Sequence, residues 1–185
     1  MAIYTAAEQF IEAVASPAPT PGGGAVAAHT GALGCALALM AISTTLKNQI
    51  NPFPLEDGRT RLNTLKEAFK QLTRQDAKAY EDFLTAKRMP KENPARAVEL
   101  QKTLCNAAQI PTDTASTACQ ALEELKNIQP YIAPIIKSDA ECAFYLLQTC
   151  IRLAVENIRA NLDYIQNPDK KQFFQQKIEE FAKHY

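Results

Sequence analysis

Apolar positions along this chain recur at steps of three and four. Strict alternation is absent and β-branched residues are scattered, so the pattern predicts helices and no strand. The clearest stripe runs from Arg59 to Arg88. There Leu62, Leu65, Phe69, Leu72, Ala79, Phe83 and Ala86 fall on one side of a long helix. Upstream, Thr5-Ala6-Ala7-Glu8 has the form of a capping box and opens a first helix ending near Ser16. A second helix is expected from the glycines at 22–24 to about Asn48. "NPFPLEDG" then reads as a loop, because prolines are concentrated in it. "MPKENP" stops the long third helix. A fourth covers Ala95 to Gln109, and a fifth starts at Pro111, a favoured first-turn residue, and reaches about Ile128. "QPYIAPIIK" reads as a loop or short turn of helix. Ser138-Asp139-Ala140-Glu141 is a second capping box and starts a sixth helix lasting to Gln166, and Pro168 opens a seventh. The expected fold is all-α, a multi-helix bundle around a central apolar Ala/Gly-rich helix, as a single domain over residues 1–185.

One segment departs from the amphipathic pattern. Residues 25–46 carry no formal charge and are numerous enough to cross a bilayer. His29, Thr30, Ser43, Thr44 and Thr45 dilute the run, and its neighbours are amphipathic, so the expectation is a helix buried all round. Its small residues Ala27, Gly31, Gly34 and Ala38 permit close helix approach or a dimer seam. The "PTPGGG" before it raises a separate question. Gly22 to Ala27 matches GxGxxA, but no strand precedes it and no acid follows at the required distance; a phosphate loop would need Gly-Lys-Ser/Thr. Three glycines imply a close approach to the backbone. The first amides of a helix are unpaired donors in a positive field, suited to a ligand's carbonyl or carboxylate oxygens. A tight turn against a neighbouring helix is the alternative.

Charge and cysteine usage narrow the classes. Among 185 residues, Lys+Arg and Asp+Glu are equal at 20 each, which leaves no electrostatic footprint for nucleic acid or an anionic membrane, and neither is expected as a partner. Cys35, Cys105, Cys119, Cys142 and Cys150 form no CxxC, and the two histidines, His29 and His184, lie far apart, so no metal site is expected. Cysteines among Ala and Leu suit a reducing cytosol, and residues 1–15 lack a basic leader segment, so a cytoplasmic location is expected.

Within the long helix, Asp76 shares a row with Leu62, Phe69 and Phe83. A carboxylate on an apolar stripe must be paired, protonated or facing a pocket. It is therefore either a structural hydrogen-bond acceptor or a proton-transfer group with a raised pKa. Asn157 and Asn161, one turn apart, interrupt the stripe Ala154, Ile158, Leu162 and Ile165, and could read a polar ring or satisfy each other. Lys47 ends the second helix, where a cation complements the dipole.

"PTPGGGAVAAHTGALGCALALM", "DAKAYEDFLTAKRMPK", "AAQIPTDTA" and "KSDAECAFYLLQTCIRLAVENIRANL" together resemble, in order, the successive blocks of the cyclodeaminase/cyclohydrolase family. That family comprises formiminotetrahydrofolate cyclodeaminases and methenyltetrahydrofolate cyclohydrolases. The resemblance implies an all-helical homodimer that binds folate, with no metal and no cofactor beyond the tetrahydrofolate substrate. It implies Asp76 as the acid/base carboxylate, Gly22, Gly23 and Gly24 as the folate-pocket loop, Ser138 and Asp139 as the family's S-D pair, and Asn157 and Asn161 as its two asparagines. Lys47 aligns with a family lysine after a one-residue gap, and is expected to tune Asp76 or protonate a leaving nitrogen. The folate's glutamate tail calls for a cation, for which Arg59, Arg88, Lys91 and Arg96 are the candidates. The alternative reading is a non-catalytic helical folate-binding or assembly subunit that retains the family fold.

Overall fold

The computed structural model describes residues 2–47 and 53–185. Among them are six α-helices and no strand: α1 (Ala2–Ala15), α2 (Gly23–Leu46), α3 (Leu55–Arg88), α4 (Arg96–Ile128), α5 (Lys137–Leu162) and α6 (Pro168–Phe181). Short 3₁₀ turns follow α4, precede α5 and follow α6.

The four long helices form an up-down-up-down bundle. Gly24 of α2 faces Asp76 of α3 while Gly31 faces Phe69, so these two helices run in opposite directions. Gly34 faces Leu147 and Gly23 faces Asn157, which makes α5 antiparallel to α2 as well. Gly58 against Ile128, with Arg61 bonded to Glu124, sets α3 antiparallel to α4. Asn161 on Ala107 and Gln101 on the Tyr164 carbonyl close the ring between α4 and α5. α6 covers the outer side of α4 and α5 through Phe174, Ile178 and Phe181.

The Ala/Gly-rich helix α2 is one member of this ring and not a helix at its centre, and its small residues let larger side chains come in to its backbone. A Cβ at Gly31 would overlap the fully buried Phe69 ring, and one at Gly34 would stand 2.9 Å from Leu147. Ala27, Ala38 and Ala41 are fully buried beside them. α2 is long and apolar enough to cross a membrane by length and composition, yet half of its most apolar window is buried inside the bundle. The expectation of burial on every side is corrected: Leu33 and Met40 are 50% and 43% exposed, so one face of α2 is open.

Several boundaries also differ from expectation. α1 begins at Ala2, so Thr5 lies inside the helix rather than at its cap. The expected end of the second helix, Asn48, lies outside the described residues, and α2 ends at Leu46. α3 begins at Leu55, not Arg59, because Glu56 and Asp57 sit in its first turn, where acidic groups complement the helix dipole. α5 begins at Lys137 with no side-chain cap and ends at Leu162, so the second capping box is not formed. The expected fourth and fifth helices are one continuous helix with Pro111 inside it.

Candidate active site

A cleft of about 480 Å³ opens at the end of the bundle where α2 begins. Its base is the Gly22–Gly24 turn and Asp76. One wall is α3, with Tyr80 and Phe83; the other is built from Leu104 and Ala107 of α4 and the two asparagines of α5. Lys87 and the exposed Tyr164 stand at its outer end.

Asp76 is fixed by the start of α2. Gly22 is the N-cap of that helix and has no side chain to bond the orphan amides. The Asp76 carboxylate takes the part of a capping group from the neighbouring helix: the Ala25 amide donates to Oδ2 at 2.9 Å. No cation pairs with Asp76 among the described residues. Burial pushes its pKa above the ordinary aspartate value of 3.8, and the Ala25 bond opposes this only in part. The second oxygen, Oδ1, lies against Gly24 at the base of the cleft and takes no hydrogen bond among the described residues.

The glycines now have a physical reason. A Cβ on Gly24 would overlap the Asp76 carboxylate, and a Cβ on Gly23 would lie 3.2 Å from the Asn157 amide oxygen. Each glycine thus admits a polar side chain from a different helix to the tip of α2. The amides of Gly23 and Gly24, the first two of the helix, have no partner among the described residues.

The asparagines are oriented by backbone carbonyls. Asn157 Nδ2 donates to Leu153 O at 2.7 Å, and Asn161 Nδ2 donates to Asn157 O at 2.8 Å and to Ala107 O at 3.2 Å. The Ala107 carbonyl is free for this because residue 111, four positions on, is proline and has no N–H to offer. These bonds orient both amides: Asn161 has spent both N–H groups, Asn157 keeps one, and the two Oδ1 atoms take no hydrogen bond among the described residues. A carboxyl of raised pKa, two helix-tip donors and two amide acceptors around an aromatic-walled slot can bind a flat polar heterocycle and move a proton at its edge.

The sequence-derived candidates divide into two groups. Gly22, Gly23, Gly24, Asp76, Asn157 and Asn161 meet in the cleft. Lys47 does not: it is exposed just beyond the last turn of α2, about 36 Å from the glycine turn at 1.5 Å per residue. Ser138 and Asp139 lie in the first turn of α5, about 28 Å along that helix from Asn157. They belong to the Lys47 end of the bundle, where the Ala133 amide donates to Thr45 Oγ1 at 3.0 Å. Of the cations considered for a tail, Arg59 pairs with Glu56 at the start of α3, Arg96 bonds the carbonyls of Lys87 and Met89, and Arg88 and Lys91 do not line the cleft. Tyr80, Lys87 and Tyr164 also line the cleft and are not among the sequence-derived candidates. The spacing 76, 80, 83, 87 along one helix would have revealed the first two.

The chain matches the family model described as Formiminotransferase-cyclodeaminase over residues 6–180. Formimidoyltransferase-cyclodeaminase of Sus scrofa is 29% identical over 91% of this chain, and methenyltetrahydrofolate cyclohydrolase of Methylorubrum extorquens is 27% identical over 94%. The chain spans 32% of the former's length and 85% of the latter's. The solved formiminotetrahydrofolate cyclodeaminase of Thermotoga maritima superimposes with a TM-score of 0.86 at 25% identity, covering 96% of this chain and 88% of that one. With nearly the whole chain matched by the family model and the helical architecture shared, this chain belongs to the formiminotransferase-cyclodeaminase family.

Proposed function

We propose that this protein is a folate one-carbon enzyme, a methenyltetrahydrofolate cyclohydrolase or formiminotetrahydrofolate cyclodeaminase, with Asp76 as its proton-transfer group. The observation that carries the reading is Asp76 itself: a carboxyl without a cation partner, shifted upward by burial and held by the α2 tip, at the base of a slot with aromatic rings along one wall. In cyclohydrolysis, water adds to the methenyl carbon and the ring opens to 10-formyltetrahydrofolate. The carboxylate takes a proton as water attacks, the resulting acid returns a proton to N5 as the C–N5 bond breaks, and the carbinol O–H proton passes to solvent as the formyl C=O forms. In cyclodeamination, N10 attacks the formimino carbon and ammonia leaves, again with one proton taken and one given. A single carboxyl working in both directions contributes about 10²–10⁴-fold. The Asn157 and Asn161 acceptors suit the N–H groups of a pterin, and the Gly23 and Gly24 amides suit its oxygens. No cofactor beyond the folate is required by this scheme.

The protein acts as a homodimer in this reading. Support comes from the open apolar face of α2, where Leu33 and Met40 flank Ala36 and Leu37 on a helix without formal charge. Two-fold, antiparallel pairing of this face would bring Lys47 of one copy toward the glycine turn of the other. Free thiols at Cys35 and Cys150 in the core fit a reducing, cytoplasmic location.

The test is Asp76→Asn, which keeps shape and can still accept from Ala25 but cannot exchange a proton. Turnover of methenyl- or formimino-tetrahydrofolate should fall about 10²-fold or more, with folate binding largely kept. Full activity of Asp76→Asn toward both substrates would overturn the assignment.

A further inference from the structure

The cleft is polarised along α3. Asp76, Tyr80, Phe83 and Lys87 are spaced four, three and four residues apart, which places them on one stripe of the helix facing the cleft. From the first to the last of these is about 16 Å of helix. The order along the stripe is a carboxyl of raised pKa, two aromatic rings with centroids 6.4 Å apart, and an ammonium group 5.7 Å from the Phe83 ring centre.

Lys87 is the single cation lining the cleft among the described residues, as Asp76 is the single acid. It also makes no ion pair there. The nearest acids on its own helix are occupied or distant: Asp82 takes Lys78, and Glu81 is one residue further back. A lysine in the last turn of a helix has an ordinary reason to be there, which is to complement the C-terminal dipole. At this helix end that task is already done by Arg96, whose guanidinium donates to the carbonyls of both Lys87 and Met89. The Lys87 ammonium is left over the Phe83 face, exposed and unpaired, at the outer end of an aromatic channel.

We propose that Lys87 binds the glutamate carboxylate of the substrate and that the Asp76–Tyr80–Phe83–Lys87 stripe sets the length of molecule the site prefers. This rests on the folate reading above. A folate is a flat heterocycle joined through an aromatic ring to an anionic amino acid. The same sequence of chemistry lies along the stripe: proton transfer at Asp76, ring contacts at Tyr80 and Phe83, and a positive group at Lys87. Arg96 takes no part, because it does not line the cleft and its guanidinium is turned to the carbonyls of Lys87 and Met89. Lys87 is thus a specificity-determining residue, and its contribution lies in holding the far end of the substrate, not at the reacting carbon.

The test compares two substrates: 5,10-methenyltetrahydrofolate and the corresponding tetrahydropteroate, which lacks the glutamate. Lys87→Met removes the charge but keeps an apolar stem over Phe83. It should lower the wild type's preference for the glutamylated substrate, measured as the ratio of kcat/KM values, by about two- to fivefold through KM with little change in kcat. Lys87→Arg should keep most of the preference, and Lys91→Met, outside the cleft, should leave it as in the wild type. The wild-type KM for the glutamylated substrate should rise with ionic strength, and that slope should flatten in Lys87→Met. If Lys87→Met loses activity equally on both substrates, or if the wild type has no preference, the tail assignment is overturned while the enzyme reading stands. If the wild type neither binds nor turns over either substrate, or its formimino counterpart, the enzyme reading fails, and the Lys87 proposal falls with it.

Discussion

Asp76 does two things with one carboxyl. It accepts the Ala25 amide that Gly22 cannot cap, and it sets its other oxygen at the base of the cleft. Burial favours its neutral form, so its folded pKa lies above 3.8. Activity should follow from this. The kcat/KM profile should have an acid limb displaced upward from the usual aspartate range, because the carboxylate is the form that accepts a proton from water, and this limb should vanish in Asp76→Asn. Stability should show the opposite sign. A raised carboxyl pKa gives stability that is fully present below the unfolded value and lost as pH rises through the folded one. Asp76→Asn should therefore match the wild type in melting temperature near pH 3 and exceed it slightly at pH 7, by about 1–3 °C given partial solvent access. A wild type more stable than the variant at neutral pH would mean that the Ala25 bond outweighs burial. The importance of Asp76 was legible in the sequence from its place on an apolar row. Its partner was not, because nothing local links residue 76 to the start of α2.

At the scale of elements, the instructive case is α4. Proline inside a helix removes one donor and normally breaks the helix or kinks it. Read alone, Pro111 is equally good as the first residue of a new helix, and the sequence offers no way to choose. What decides is a tertiary bond: Asn161 of α5 donates to the Ala107 carbonyl that Pro111 leaves open. The interruption holds an asparagine beside the cleft. Restoring the donor should set these roles in competition. Pro111→Ala should raise the melting temperature by a few degrees, since an interior proline is costly, while raising KM for folate about two- to fivefold as Asn161 loosens. An unchanged KM would show that Asn161 is held well enough by Asn157 alone. The glycine turn was legible as a place of close approach. Its cause was not, because the groups that come close are Asp76 and Asn157 from two other helices.

The whole molecule separates the family-implied residues into two ends. Asp76, the glycines and the asparagines occupy one; Lys47, Ser138 and Asp139 lie at the other, a bundle length away. Sequence blocks in the right order give no hint of this, since α2 and α5 each carry members of both groups. If the homodimer proposed above pairs α2 against α2 in antiparallel fashion, each site draws on both chains. Mixing Asp76→Asn and Lys47→Ala chains during refolding should then regain about a quarter of wild-type activity, since half the dimers are mixed and each has one intact site. No recovery above the two parent variants would confine the chemistry to one chain. The all-α class and the close packing against α2 were readable throughout, because a 3.6-residue period and a run of small residues are local properties; a place at the centre was not, since α2 is one of four helices in the ring. The open face of that helix was not, because exposure depends on which neighbours arrive.

The antiparallel ring of helices has a further consequence. The tip of α2 receives Asp76 from the next helix in the chain and Asn157 from the last helix of the ring. No hairpin, and no pair of consecutive helices, holds the whole constellation. The proposed site therefore exists only in the fully closed ring: a break between α2 and α3, or between α2 and α5, would dismantle it with every helix still intact.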